Sequence, residues 1–244
     1  MKSLFIFIKR MLSFMLGLFL TLVFFVVCFF GIKGYVMYQE AVEKTPVSEI
    51  GVKVRSIEGF TPYDELPRIY IDAVIAAEDK RFEVHGGVDF IAIGRAVLTD
   101  IKTMSLAEGG STITQQLAKN QLFNQEKRME RKFAELFADF ALEKEYSKKE
   151  IFEMYVNTIY FGSGYYGIYA AAQGYFGKTP ADLTDAEAVM LAGLPNAPSV
   201  YSPKSNPALA KRRMYAVLLR MVDCGRLTKH DAERIRGEPV TVKQ

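Results

Sequence analysis

Residues 78–87 read EDKRFEVHGG and follow the apolar run IDAVIAA, so two carboxylates, two cations, the first of only two histidines and a glycine pair crowd the end of a buried segment. A carboxylate that closes a helix with an apolar face can be partly desolvated. Desolvation disfavours the anion and raises its pKa, which suits Glu78 or Asp79 to proton transfer near neutral pH. An ordinary solvated helix end, with Glu78 paired to Lys80 or Arg81, would carry the same charges. Phe82, His85, Gly86 and Gly87 supply in addition an aromatic anchor, a ring donor and a tight turn, more than a solvated end needs.

Three further segments carry candidate chemistry. In EGGSTITQQLAKN, residues 108–120, Gly109 and Gly110 let the backbone turn into a helix whose free N–H groups can receive an anion. Ser111, Gln115 and Lys119 follow i, i+4, i+8 along one side and Ile113 and Leu117 lie on another, although a plain surface helix has the same pattern. In EKRMERKFAELFADFALEKEYSKKE, Phe133, Leu136, Phe137, Phe140 and Ala141 form an apolar stripe with Arg128, Arg131 and Glu135 opposite. Arg131 and Glu135 are i, i+4 partners, so a surface salt bridge is the default there. The cations Lys127, Arg128, Arg131 and Lys132 would nevertheless suit a pyrophosphate. In KRRMYAVLLRM, residues 211–221, Arg212 and Arg213 make a basic edge on an apolar helix.

The elements that must position these groups are mainly α. Pro67 opens a helix through LPRIYIDAVIAAED. Ser147 with Glu150 and Thr184 with Glu187 form capping-box patterns, Thr179-Pro180 and Asn206-Pro207 pair a cap type with a first-turn proline, and the last long helix stops at Gly225. No sustained period-two alternation marks a strand, and there is no internal repeat. At the other end, residues 11–32 are an uncharged run of 22 residues, long enough to cross about 30 Å of hydrocarbon. Lys2, Lys9 and Arg10 precede it, which places the N-terminus in the cytoplasm and the rest of the chain across the membrane. An uncleaved anchor is favoured over a secretory signal because the run is too long and FGIKGYVMYQ offers no small-residue cleavage site.

Bulk composition narrows the class. With 244 residues, half of them hydrophobic, the chain can bury a core, and a net charge of +3 is far below that of a nucleic-acid binder. Cys28 and Cys224 lie far apart and accompany only His85 and His230, which leaves neither a disulfide framework nor a zinc site.

In order and spacing, EDKRFEVHGG, GGSTITQQLAKN, RKFAE, KKEIFEMYVN and RRMYAVL resemble five motifs of the peptidoglycan glycosyltransferases that polymerise lipid II, glycosyltransferase family 51. The resemblance covers roughly residues 60–225. It implies a lysozyme-like fold with a smaller lobe that dips into the bilayer, much of it supplied by residues 88–107. The expected organisation is a cytoplasmic N-terminus at 1–10, a signal anchor at 11–32, a connector at 33–60 and the glycosyltransferase domain at 61–240. Since the sequence stops at Gln244 without a penicillin-binding transpeptidase domain, it looks like a monofunctional, biosynthetic member.

By the same resemblance Glu78 is the general base that deprotonates the acceptor 4-hydroxyl, and Glu135 is a second essential carboxylate that arranges the donor pyrophosphate and its cations. Lys119, Arg131 and Lys132 stabilise the leaving pyrophosphate, while Ser111, Thr112, Gln115 and Gln116 line the cleft. Asp79, Phe82 and His85 support the loop. The family usually has arginine where this chain has Lys127. Lysine keeps the charge but loses bidentate recognition, and Arg128 beside it is the alternative. No cofactor is obligatory and no motif forms a metal cage, though magnesium or manganese assisting the pyrophosphate is compatible. The implied partners are lipid II, the growing lipid-linked strand and the membrane, together with penicillin-binding, divisome or elongation proteins, and no nucleic acid. A lytic, glycan-cleaving enzyme and a catalytically silent membrane scaffold are the competing readings.

Overall fold

The structure, a computed structural model, describes residues 2–95, 111–123 and 128–243. Gly109, Gly110, Lys127 and most of the 88–107 segment expected to build the smaller lobe lie outside these. Ten helices are used below: α1 (Lys2–Lys44), α2 (Val47–Arg55), α3 (Arg68–Glu78), α4 (Ile113–Leu122), α5 (Met129–Glu145), α6 (Lys148–Thr158), α7 (Ile168–Phe176), α8 (Asp185–Gly193), α9 (Pro207–Asp223) and α10 (Lys229–Gly237). Residues 90–95 are also helical, and among the described residues the β structure is a single antiparallel bridge between Tyr160 and Tyr166.

α1 is one continuous helix of 43 residues whose most apolar stretch has no buried side chains, and it is long and apolar enough to cross a membrane. The stretch 33–60, expected as a connector, is therefore mostly helix. Gly31 and Gly34 lower helix propensity without stopping the helix, and the break comes at Pro46, which restricts the residue before it and leads into α2.

The upper part of α1 packs along α5. Phe30 stacks on Phe133 at 6.3 Å between centroids, Tyr35 and Tyr38 flank Phe137 at 5.3 and 6.1 Å, and Lys33 reaches Glu130 at 3.9 Å. Gly34 makes the approach possible, since a Cβ there would lie 2.4 Å from the Phe133 Cβ. This contact corrects the amphipathic reading of α5. Its aromatic stripe meets the anchor helix, with Phe140 left 55% exposed, while Arg131, Glu135 and Asp139 turn inward and are buried. The Arg131–Glu135 pair is thus an interior pair rather than a surface one.

Behind α5 the helices form two packed groups, α4 with α5 and α6, and α3 with α8 and α9. They share a core whose largest members are Tyr70, Tyr155, Tyr175, Phe82, Phe152 and Phe161. The Ser147 and Thr184 capping boxes form as the sequence indicates, and a third joins Thr112 to Gln115 at the start of α4. Thr179-Pro180 opens only a 3-10 turn, Pro180–Asp182, and the Asn206 amide donates to the Val200 carbonyl instead of capping α9. α9 ends at Asp223, two residues before Gly225 takes its left-handed φ of 70°.

Candidate active site

Glu78 is the last residue of α3, and its side chain is only 8% exposed. Its partners come from two other helices. The Gln116 amide on α4 donates to Oε2 at 2.8 Å, and Arg213 on α9 places a guanidinium nitrogen 3.8 Å from Oε1. That oxygen receives no hydrogen bond and Arg213 Nη2 donates none, so the two face each other across a short gap. Arg213 is fixed from behind by donating to the Gly193 carbonyl at 3.1 Å and by lying over the Tyr201 ring. Arg220, about two turns later on α9, binds the Ala77 carbonyl at 2.7 Å and holds the end of α3.

The electrostatics follow from this arrangement. Burial pushes the Glu78 carboxyl above its ordinary value, opposed by the Gln116 hydrogen bond and by Arg213 and Arg220. Two buried phenols complete the wall. Tyr155 donates to the Gln116 carbonyl oxygen at 3.4 Å, and burial together with the Glu78 charge raises the pKa of both Tyr70 and Tyr155. The result is a carboxylate that is desolvated yet held in one orientation, with one oxygen free to accept a proton. Glu78 pairs with neither Lys80 nor Arg81. Arg81 instead sits 3.5 Å from Asp89.

The neighbouring residues build the support. Asp79 accepts from His85 Nε2 at 2.8 Å, and His85 Nδ1 meets the Gly86 carbonyl, so both ring nitrogens face acceptors. Burial disfavours the imidazolium, but these two acceptors outweigh it and raise the His85 pKa. The second Asp79 oxygen accepts the Ile113 amide at 3.1 Å. The α4 N-terminus, expected to receive an external anion, therefore already holds an internal carboxylate. Its third amide, that of Gln115, is capped by Thr112. Phe82 is buried against Phe152 and lies under the Lys148 ammonium.

On α5, Glu135 is 2% exposed, with Arg131 Nε at 3.0 Å and Lys132 Nζ at 2.7 Å. Lys132 is half exposed, so its ammonium can serve Glu135 and a ligand together. Lys119, half-buried near the end of α4, has no ion-pair partner among the described residues and is available to an anion. Ser111 is exposed just ahead of the cap, and Arg128 is the exposed N-cap residue of α5. Thr112 and Gln115 are engaged in the capping box, with Thr112 Oγ1 also donating to the Gly87 carbonyl at 2.7 Å. Gln116 is the cleft residue that touches Glu78.

Asp79, His85 and Asp89 hold ligand-type atoms within 4.8 Å of one another. They do not suit a cation, because each is committed: Asp79 as above, and Asp89 to Arg81 and to the Ile91 and Ala92 amides. Sequence reasoning missed Arg213, read only as a basic edge, and Asp139, read as part of no site. The available signal for Arg213 was an arginine set within the apolar stripe Ala210, Met214, Val217, Met221.

The transglycosylase family profile matches residues 43–222. Penicillin-binding protein 1A of Neisseria flavescens is 46% identical over 78% of this chain and 24% of its own length. Penicillin-binding protein 1A of Aquifex aeolicus is 42% identical over 80% of this chain and 26% of its own. A Cupriavidus necator protein with a transglycosylase name is 40% identical over 78% of this chain and 81% of its own. The chain thus spans about a quarter of the two penicillin-binding proteins and most of the third relative. With nearly three quarters of its residues inside the matched region, the chain belongs to the transglycosylase family and carries that family's lysozyme-like fold.

Proposed function

We propose that the protein is a peptidoglycan glycosyltransferase that polymerises lipid II into linear glycan strands from the outer face of the cytoplasmic membrane. The observation that carries this reading is Glu78: a carboxylate buried at a helix end, pushed toward higher pKa, oriented by Gln116 and Arg213, and left with one oxygen unbonded. Such a group is poised to take a proton from a sugar hydroxyl.

In the proposed step Glu78 accepts the proton of the acceptor 4-hydroxyl as that oxygen bonds to the anomeric carbon of the donor sugar. The carbon–oxygen bond to the lipid pyrophosphate breaks with inversion, and the pyrophosphate leaves with the electron pair. Its charge needs cations. Among the described residues Lys119 has no ion-pair partner, Lys132 is half exposed, and Glu135 holds Arg131 and Lys132 on one turn of α5. Preorganised cations aimed at developing charge are usually the larger part of such a rate enhancement. The apolar helix α1 keeps enzyme and polyprenyl-linked substrates on one surface, which raises their effective concentration. Lys9 and Arg10 ahead of the span orient its N-terminus toward the cytoplasm.

The test is incubation of the full chain in detergent or bilayers with lipid II, with and without moenomycin, and separately with finished peptidoglycan. Moenomycin-sensitive polymer that is absent for Glu78→Gln, at unchanged melting temperature, supports the reading. Soluble fragments from finished peptidoglycan would instead indicate a lytic enzyme, and turnover of neither substrate a scaffold.

A further inference from the structure

The inward face of α5 carries three carboxylates in a column, Glu135, Asp139 and Glu143, at i, i+4 and i+8. The outer two are answered. Glu135 has Arg131 and Lys132, and Glu143 accepts from Thr114 Oγ1 at 2.6 Å and from Lys148 at 2.7 Å. Asp139 is not. It is fully buried, and among the described residues no cation pairs with it and no well-formed hydrogen bond reaches either carboxyl oxygen, the Gln115 side chain being the donor beside it.

Neighbouring backbone packs closely against it. The Gly87 backbone lies directly against Asp139, where a Cβ at 87 would fall 2.6 Å from the Asp139 Cβ. Thr112 clasps the same turn through the Gly87 carbonyl, and the Gln115 carbonyl oxygen is drawn to the Thr112 amide at 3.1 Å. Gln115 lends Asp139 a weak side-chain hydrogen bond that does not offset its burial. The charged groups on the elements packed here are committed elsewhere: Asp79 to His85, Asp89 to Arg81, and Lys148 to Glu143. An unpaired charge in such a place is far more costly than a neutral acid. Burial accordingly raises the Asp139 pKa to about 8, with Gln115 and Lys132 opposing and Glu135 and Glu143 adding to the rise.

We propose that Asp139 is a positioning residue that works as a neutral carboxylic acid. Protonated, it lets the turn at Gly87, the start of α4 and the inward face of α5 close together, which fixes Gln116 against Glu78 and Glu135 among its cations. Ionised, it sets an unanswered charge between Glu135 and Glu143 and opens that contact, so the fold has an alkaline switch beside the site.

The activity arm of the test rests on the proposed glycosyltransferase reading, and the melting arm does not. The folded-state pKa lies above the ordinary carboxylate value of about 3.9, so the folded form binds the extra proton between the two. Stability therefore falls as pH rises toward about 8 and levels off above it. Full-length wild type, Asp139→Asn and Asp139→Ala are melted from pH 5 to 9.5, and lipid II polymerisation is followed over the same range. The wild-type melting temperature should fall relative to both variants from pH 5 to about 8 and run parallel to them above it. Its polymerisation should drop about tenfold per pH unit above that point, while the variants, which cannot titrate, hold their rate further into alkali. Alanine keeps the comparison available if asparagine folds poorly. Superimposable melting curves would overturn the proposal, as would a lost melting slope with an unmoved alkaline limb. Wild type inactive at every pH would refute the glycosyltransferase reading alone, and the melting comparison would still decide whether Asp139 carries the proton.

Discussion

Replacing Arg213 by methionine separates two roles that the structure joins in one side chain. Arg213 lies 3.8 Å from Glu78 Oε1, and both side chains are under 10% exposed. At an effective dielectric of about 20, unit charges at that distance attract by about 4 kcal/mol, an upper limit of about 3 pKa units. Ion pairs of this kind lower a carboxylate by about 1–3 units. Burial already holds Glu78 above its ordinary value with Arg213 in place, so loss of the cation must raise it further. A general base acts only when ionised. The acid limb of the kcat/KM profile for polymerisation should therefore move up by about 1–3 pH units, narrowing the bell from its acid side. Activity on the acid side of the shifted limb should fall by about tenfold per pH unit, and Arg213→Lys, which keeps the charge, should restore much of the limb. Glu78 can neutralise itself in the methionine variant, which limits the stability cost below the roughly 3–5 kcal/mol expected when one partner of a buried pair is stranded. A uniform loss of rate with the acid limb unmoved would refute the reasoning and leave Arg213 as a support for α8 through Gly193 alone.

Two further outcomes are expected. Gly34→Leu places a side chain where the Phe133 Cβ already stands, so overpacking should cost about 1–3 kcal/mol and lower the melting temperature of the full chain, whereas Gly31→Leu, in open space, should not. For His85 the folded pKa is raised above about 6.5, so its stabilisation is fully present below that pH and is lost as pH rises through the folded value. The stability gap between wild type and His85→Ala, measured by denaturant titration, should accordingly shrink above about pH 6.5, and a constant gap would show that the ring acts through packing on Phe82 rather than through Asp79.

Local chemistry was legible in the sequence where it depended on neighbours in the chain. The caps at Ser147 and Thr184 need only residues three apart, and the end of α3 at Glu78 follows from a short apolar run and the turn after it. What escaped depends on distant segments. Arg213 meets Glu78 from 135 positions further along the chain, and an isolated basic pair gives no hint of its partner. The α5 pattern misled for a different reason. Periodicity tells which side of a helix is apolar but not what covers it, and here the cover is the anchor helix, so the polar side faces the interior. The vacant-looking first amide of α4 was likewise filled by Asp79, 34 residues earlier.

The continuity of α1 changes what anchoring means for this molecule. At 1.5 Å per residue its 43 residues extend about 65 Å, roughly twice the hydrocarbon thickness. The part beyond the bilayer is clamped to the helix that bears Glu135. A slack tether would let the cleft wander over tens of ångströms of altitude, whereas a rigid mast sets the elevation of the reacting groups above the lipid in steps of 1.5 Å per residue. Because the span is apolar all round, rotation within the lipid is immaterial, and under the proposed function the length of chain between its lower end and Phe30 becomes the ruler by which the enzyme would meet the sugar end of a lipid-borne substrate.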